Sequence, residues 1–340
     1  MEKTRGKLRI MNCESGKPFA EKVMKELETK TDVKQVETKE IHFANTEIKS
    51  VIGESIRGAD IYIIQDCENS ETNYSIDENV GALKTAIDAA RRSDVNYITA
   101  VLPVFPYARQ DKANGREGIT AARVAREIED AGANMIITLD VHNSAIEGYF
   151  RKAAFEDLHA SKNIIDYIKN NNELFNPENT AVMPADLGGA KRAEHYAQKL
   201  GMELFFVYKK RNDSKANIVD DAVILGDVTG KNILMVDDMI DTGGSILKVA
   251  KLTKEKGAKK IYCVCSLPLF NRDALENIDR AYREGYLEAI ITTDAVHHGL
   301  DFTQKHPWHR EVLIAKYFAA VINRLNKYQS ISYLLDDKKR

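Results

Sequence analysis

The chain has 340 residues, 44% of them hydrophobic and 29% charged, as expected of a globular protein of about two domains. Lys and Arg number 49 against 51 Asp and Glu, and the net charge of −2 gives no electrostatic reason to expect a nucleic-acid or membrane partner. No run of about 18 apolar residues marks a transmembrane helix. Residues 1–9 are charged without an apolar core, so no signal peptide is expected; Cys13, Cys67, Cys263 and Cys265 read as reduced thiols in a cytoplasmic protein.

Residues 8–11 read as a first strand and 18–27 as a helix. Residues 36–43 and 48–52 form a candidate strand pair across Ala44-Asn45-Thr46. A strand at 60–65, a helix at 77–92, a strand at 97–102, a helix at 120–130 and a strand at 135–139 follow. The pattern restarts after a seam near 151–159. A helix is expected at 160–168, a strand at 180–182, a helix at 191–200 and a strand at 204–207. Strands at 233–235 and 260–267 come next, then a helix at 274–282, a strand at 289–292 and a long helix at 310–325. Strands alternating with helices predict an α/β fold of two units, each a mostly parallel sheet flanked by helices.

Chemistry concentrates where strands end. Val236-Asp237-Asp238-Met239-Ile240-Asp241-Thr242-Gly243-Gly244-Ser245 lies between an apolar strand and a helix with apolar residues at Ile246, Leu247, Val249 and Ala250. Glycines there let backbone N–H groups converge on a phosphate, and Thr242 and Ser245 add hydroxyl donors. Asp237 and Asp238 repel a phosphate but suit sugar hydroxyls or a metal ion. A phosphate at one end and a diol at the other describe ribose 5-phosphate; an acidic turn with an Asp–Thr helix cap is the plain alternative. Pro184-Ala185-Asp186-Leu187-Gly188-Gly189 repeats the acid-and-glycine arrangement.

Tyr107-Ala108-Arg109-Gln110-Asp111-Lys112 continues to Arg116 and Gly118 without apolar periodicity, which suits either a cationic lid over polyphosphate or a solvated loop. Asp140-Val141-His142 places an acid and an imidazole at another strand end. Lys209-Lys210-Arg211 puts cations where charge on phosphorus could develop. Gly226-Asp227-Val228-Thr229-Gly230-Lys231 resembles a P-loop superficially, but its spacing is wrong and a strand follows, so it reads as a turn. His297, His298, His306 and His309 match no metal spacing and read as exposed imidazoles.

Taken together, these stretches resemble the ribose-phosphate pyrophosphokinases, as do Phe43-Ala44-Asn45-Thr46-Glu47, Glu54-Ser55-Ile56-Arg57-Gly58, Gly148-Tyr149-Phe150 and Ser330-Ile331-Ser332-Tyr333-Leu334. The resemblance implies two phosphoribosyltransferase-type domains, 1–156 joined by 328–340 and 157–327, with the active site between them. It implies transfer of the β,γ-diphosphoryl group of ATP to ribose 5-phosphate, a Mg²⁺ requirement with Mn²⁺ as a substitute, and a homo-oligomer, a hexamer built from dimers. By position, Phe43 stacks on adenine while Asn45 and Glu47 hydrogen-bond it. Arg109, Gln110, Asp111, Lys112 and Arg116 approach the nucleotide, and His142 and Asp186 hold a metal. Asp237 and Asp238 take the ribose diol; Asp241, Thr242, Gly243, Gly244 and Ser245 take the 5-phosphate. Lys209 and Arg211 stabilise the transferring group.

A regulatory anion site is implied at Ser55, Arg57, Ser144, Ser330 and Ser332, with Glu147 where regulated members often carry Gln; a pair of Arg57 with Glu147 in place of the anion is the alternative. Other departures are Ala185 and Gly118 in place of prolines, and an atypical stretch at 292–298. Two alternatives stand beside the synthetase. A phosphoribosyltransferase shares the 237–245 loop but has no ATP to hold. A non-catalytic associated subunit is expected to lack the cations and acids present here.

Overall fold

The computed structural model describes residues 3–171, 176–210 and 221–335, with side chains for all of these but 209, 210, 221 and 222. In chain order the elements begin β1 (Lys7–Asn12), α1 (Lys17–Glu28), β2 (Lys34–Gln35), β3 (Thr38–His42), β4 (Ile48–Ile52), β5 (Ala59–Ile64), α2 (Ile76–Arg92), β6 (Tyr97–Leu102), α3 (Thr120–Ala131), β7 (Met135–Leu139) and β8 (Ala154–Leu158). Then follow α4 (Ser161–Asn170), β9 (Thr180–Pro184), α5 (Ala190–Leu200), β10 (Glu203–Leu204), β11 (Phe206–Lys210), β12 (Asp221–Leu225), β13 (Asn232–Ile240) and α6 (Gly244–Glu255). The last are β14 (Lys260–Pro268), α7 (Ala274–Arg283), β15 (Ala289–Thr293), α8 (Phe302–Lys305), β16 (His309–Val312) and α9 (Ala315–Asn326). No described helix is long and apolar enough to cross a membrane.

Two units result, Met1–His159 with Asp294–Gly299 and Ile314–Arg340, and Ala160–Thr293 with Leu300–Leu313. The first contains a parallel sheet in the order β2-β1-β5-β6-β7-β8 and a separate antiparallel hairpin, β3-β4. All six residues of β5 are buried because both faces of the sheet are covered. Ile61 and Ile63 join the core made with α2 and α3, whereas the hydroxyl of Tyr62 reaches the carbonyl of Ile322 in α9 at 3.4 Å. The start of α2 is fixed by a capping box in which Ser75 Oγ accepts from Glu78 N and Ser75 N donates to Glu78 Oε2.

The second unit contains a parallel sheet in the order β10-β9-β13-β14-β15-β16 and the hairpin β11-β12. β9 leads outward to β10 while β13 leads the other way to β14. The carboxyl ends of β9 and β13 therefore flank the point where the strand order reverses, the usual place for a ligand in an open α/β sheet.

Three expectations about the elements are corrected. The seam at 151–159 contains β8, an edge strand paired in parallel with β7. Ala154 is exposed, Phe155, Glu156 and Asp157 are half-buried and only Leu158 is buried, and two of the five carry charge, so no apolar run announces it. The strand at 204–207 is two: β10 pairs with β9, and after Phe205 the chain leaves to form β11. Residues 310–312, expected to open a helix, belong to the parallel edge strand β16.

The domain boundary also differs from the expected 156/157 and 327/328. The division falls at His159, and α9 returns to the first unit whole, not only from residue 328. Packing decides this: Phe318 meets Phe19 of α1 edge-on at 5.1 Å, and Asn326 Nδ2 donates to Asp60 Oδ2 at 2.9 Å. The segment Asp294–Gly299 joins the same unit through Asp294, which pairs with Lys22 at 2.8 Å and accepts from Ile314 N, and through His297 N, which donates to buried Asp66. None of the four imidazoles is exposed as expected: His297, His298 and His306 are half-buried and His309 is buried. His309 is buried between the hydroxyls of Thr292 and Thr303, and His306 bonds Asp279 at 3.0 Å.

Glu129 at the end of α3 fixes the turn into β8. Its Oε1 accepts from the backbone N–H groups of Arg151, Lys152 and Ala153 at 2.6–2.9 Å, and Oε2 accepts from Arg151 Nε at 2.9 Å. Burial alone pushes this carboxyl up, but the three N–H donors and the guanidinium outweigh it and hold the pKa at about 2. Its contribution is therefore fully present above the unfolded value near 4.5 and is lost as pH falls towards 2. Glu129→Ala should cost ~3 kcal/mol at pH 7, a difference that shrinks below pH 4.5; urea unfolding across pH 2–7 checks it, and a difference constant with pH would contradict the assignment.

Candidate functional site

In the first unit, β3 and β4 pair from Thr38↔Ile52 to His42↔Ile48 and hold residues 43–47 as a tip. Phe43 N donates to Glu47 O and Thr46 N to Phe43 O, both at 2.9 Å, and Glu47 N reaches Asn45 Oδ1 at 3.3 Å. Phe43 is 47% exposed, an expensive placement for an aromatic ring unless something flat covers it. Asn45 and Glu47 are exposed beside it. The hairpin is moored at its base: His42 stacks on Tyr74 at 4.1 Å and bonds Glu40 Oε1 at 2.7 Å, and Glu40 Oε2 accepts from Glu14 N. Glu14, Glu40 and His42 are the one group of three potential metal-ligating side chains close together among the described residues, and within it His42 and Glu40 already bond each other.

The loop after β6 has neither strand nor helix between residues 103 and 119. Gln110 O accepts from Ala121 N, which closes the excursion of residues 111–119. Arg109, Gln110, Lys112 and Arg116 are exposed, as a lid over an anion requires. Asp111 differs from them: it is buried, its carboxylate accepts from Asn143 Nδ2, and its carbonyl accepts from the Tyr149 hydroxyl. These bonds bring the 107–112 and 140–150 stretches together. Asp77 accepts from the Tyr107 hydroxyl at 2.6 Å and pushes that phenol's pKa up to about 12. His142 is exposed one residue before Asn143.

Backbone strain gathers on these loops. Thr46 (φ 68°), Tyr107 (φ 60°) and Asp140 (φ 42°) all lie in the left-handed region. Such residues persist only where their surroundings over-determine them, most often at functional sites.

In the second unit, Asp237 and Asp238 sit at the carboxyl end of β13, Asp238 buried. Asp238 N donates to Asp237 Oδ1 at 2.9 Å and Met239 N to Asp238 Oδ1 at 3.0 Å. Burial first, then the neighbouring Asp238, pushes the Asp237 carboxyl well above the ordinary range. Arg192 opposes this from α5, 3.8 Å from Asp237 and 3.7 Å from Asp238. The sequence reading gave Arg192 no role; the signal was a cation in the first turn after a second acid–glycine loop. That loop lies alongside because β9 neighbours β13: Ala185 N reaches Val236 O at 3.4 Å. Asp186 Oδ1 accepts from Gly188 N and Gly189 N, which presents an exposed hard-oxygen group.

Beyond the acids, Gly243 adopts φ 72°, a value that suits glycine, and starts α6 with no side-chain cap. Thr242, Gly244 and Ser245 are exposed around that helix start. Open backbone donors, hydroxyls and the helix dipole make a seat for an anion. Lys209 lies in β11, and Arg211 lies outside the described residues.

The candidate regulatory positions are exposed: Ser55, Arg57, Ser144, Glu147, Ser330. Ser330 and Ser332 place their hydroxyls 3.0 Å apart. Arg57 pairs with Asp94 and not, as the alternative had it, with Glu147, because Asp94 follows α2 and lies next to the turn that leads into β5.

A family model described as the N-terminal domain of ribose phosphate pyrophosphokinase matches residues 8–132, and one described as a phosphoribosyl transferase domain matches residues 154–301. The ribose-phosphate pyrophosphokinase of Chlorobaculum tepidum is 41% identical over 298 residues, 87% of this chain and 86% of that one. This chain belongs to the ribose-phosphate pyrophosphokinase family. Ribose-phosphate pyrophosphokinase 2 of Enterococcus faecalis, another member of that family, is 33% identical over 98% of each chain. The crystal structure of phosphoribosylpyrophosphate synthetase from Mycobacterium smegmatis matches with a TM-score of 0.82 at 30% identity, covering 94% of this chain and 98% of that one. Membership in this family sets the chain apart from a lone phosphoribosyltransferase, because residues 8–132 match the pyrophosphokinase N-terminal domain.

Thr46 offers a test of strain at the hairpin tip. A β-branched residue in the left-handed region costs about 1–2 kcal/mol, part of which glycine regains. Thr46→Gly should raise stability by about 0.5–1 kcal/mol in chemical unfolding; a loss would mean that the threonine side chain holds the turn.

Proposed function

We propose that the chain catalyses attack of the anomeric hydroxyl of ribose 5-phosphate on the β-phosphorus of ATP. The bond between the α–β bridging oxygen and the β-phosphorus breaks, AMP leaves, the hydroxyl proton is lost to solvent, and phosphoribosyl pyrophosphate forms. The observation that carries this reading is the presence in one family member of an exposed-aromatic hairpin with a cationic lid and of the acid–glycine loop at 237–245. A transferase that consumes the product has no use for the first pair.

Phe43 would stack on adenine, with Asn45 and Glu47 at its edge. Arg109, Gln110, Lys112 and Arg116 would meet the phosphates, and Asp111 would hold the loop that carries them. The diol would bond to Asp237 and Asp238, and the 5-phosphate would sit on residues 241–245. Lys209 and Arg211 would neutralise charge developing on the transferred group. Such a displacement asks the protein for positioning and charge compensation more than covalent help.

Kinases of this family use ATP and typically a metal ion, and we assign that ion as Mg²⁺ held by Asp186 and His142. The exposed Asp186 carboxylate is a hard oxygen donor that fits Mg²⁺, and the imidazole leaves room for Mn²⁺. When bound, the ion would supply charge neutralisation at the phosphates. A cytoplasmic homo-oligomer, a hexamer built from dimers, completes the assignment. In it Ser55, Arg57, Ser144, Ser330 and Ser332 would offer donors to a regulatory anion that the carboxylate of Glu147 opposes.

AMP should appear as the nucleotide product only when ATP, ribose 5-phosphate and a divalent cation are all present, as read by chromatography of the nucleotides. ADP together with a singly phosphorylated sugar product would contradict the reading.

A further inference from the structure

We propose that Asn271 is a positioning residue that keeps the Asp241 carboxylate off the sugar-phosphate seat and so sets affinity for the 5-phosphate. This rests on the reading of 237–245 as the ribose 5-phosphate loop. That loop contains an internal contradiction: Asp241 belongs to the stretch that takes an anion, yet its own carboxylate is an anion. Left to rotate, it would be drawn to the same uncapped start of α6 that the phosphate needs, because both are negative charges seeking one helix N-terminus.

The structure shows a restraint on it from the β14 side. β13 and β14 pair in parallel to Ile240↔Pro268, and the pairing continues beyond both strands. Phe270 N donates to Ile240 O and Asn271 N to Asp241 O, both at 3.0 Å. From the same residue, Asn271 Nδ2 donates to Asp241 Oδ1 at 2.9 Å. Asn271 thus grips Asp241 at backbone and side chain together, from the β14 side of the loop. The residues on either side, Phe270 (φ 48°) and Arg272 (φ 56°), are both in the left-handed region. Two non-glycine residues strained around one asparagine mark a loop whose shape is imposed by what the asparagine holds. The side chain of residue 271 must donate without bringing charge: aspartate there would repel Asp241, and alanine would remove this hydrogen bond.

The experiment measures steady-state kinetics with each substrate varied. Asn271→Ala should raise the KM for ribose 5-phosphate roughly ten- to hundredfold, the range of a hydrogen bond to a charged group. The KM for ATP and the kcat at saturation should change by less than about threefold, a split that a general loss of structure would not produce. Removing the carboxylate as well should relieve the defect: in an Asp241→Asn background, Asn271→Ala should cost less than about threefold. Asn271→Ser, which keeps a donor, should fall between wild type and Asn271→Ala, and serves as the variant if the alanine protein does not fold. Equal losses in both KM values, or an Asn271→Ala penalty undiminished by Asp241→Asn, would overturn the proposal. Thr242→Ala separates the two levels: a raised KM for ribose 5-phosphate there with none in Asn271→Ala would sink the role of Asn271 alone. A wild-type protein with no ribose 5-phosphate-dependent AMP formation would sink the reading beneath it.

Discussion

The second unit is built around a pair of carboxylates that ought not to be neighbours. Asp237 and Asp238 share the end of a central strand, largely out of water, where burial and proximity both oppose their charge. Only partial compensation comes from Arg192, at distances of 3.7–3.8 Å that are long for an ion pair. On the proposed reading, hydroxyl donors of a sugar would bond to both acids. The parallel sheet makes this arrangement possible: it delivers β9, β13 and β14 side by side, so that an acid–glycine loop, the acid pair and the Asn271 turn all emerge at one edge.

The first unit handles its proposed ligand surface differently. Rigid pieces hold exposed ones: the His42–Tyr74 stack moors the hairpin behind Phe43, and buried Asp111 ties the start of the lid to the turn after β7. The exposed cations of the lid contribute little to folding, since solvated charges rarely do. Strain at Thr46, Tyr107 and Asp140 is offset by the β-sheet core beneath, where β5 is buried on both faces. Stability is thus concentrated in the sheet and the openings are left to the loops, the common division in α/β enzymes.

The alternation of strands and helices and the 237–245 stretch were legible in the sequence because their signals are local: an apolar run, a change of period, glycines beside acids. What was not legible depends on distant residues. The edge strands β8 and β16 are short and partly charged, and only their neighbours β7 and β15 make them strands. The allegiance of α9 is decided by Phe19 and Asp60, some three hundred residues earlier in the chain than their partners Phe318 and Asn326. The grip of Asn271 on Asp241 crosses 30 residues and belongs to no motif. In the candidate site, spacing named the residues that point outward but gave Asp111 the same standing as Arg109, because burial is not written in a loop sequence.

The claim that matters most is that Asp237 and Asp238 accept hydrogen bonds from the two ribose hydroxyls. The most direct measurement is calorimetric binding of ribose 5-phosphate and of 2-deoxyribose 5-phosphate to the wild type and to Asp238→Asn. With a hydroxyl bonded to an ionised carboxylate, the wild type should prefer the ribose compound by about tenfold or more, and the variant should lose most of that preference. Equal affinity of the wild type for both sugars, or a preference that survives in Asp238→Asn, would contradict it.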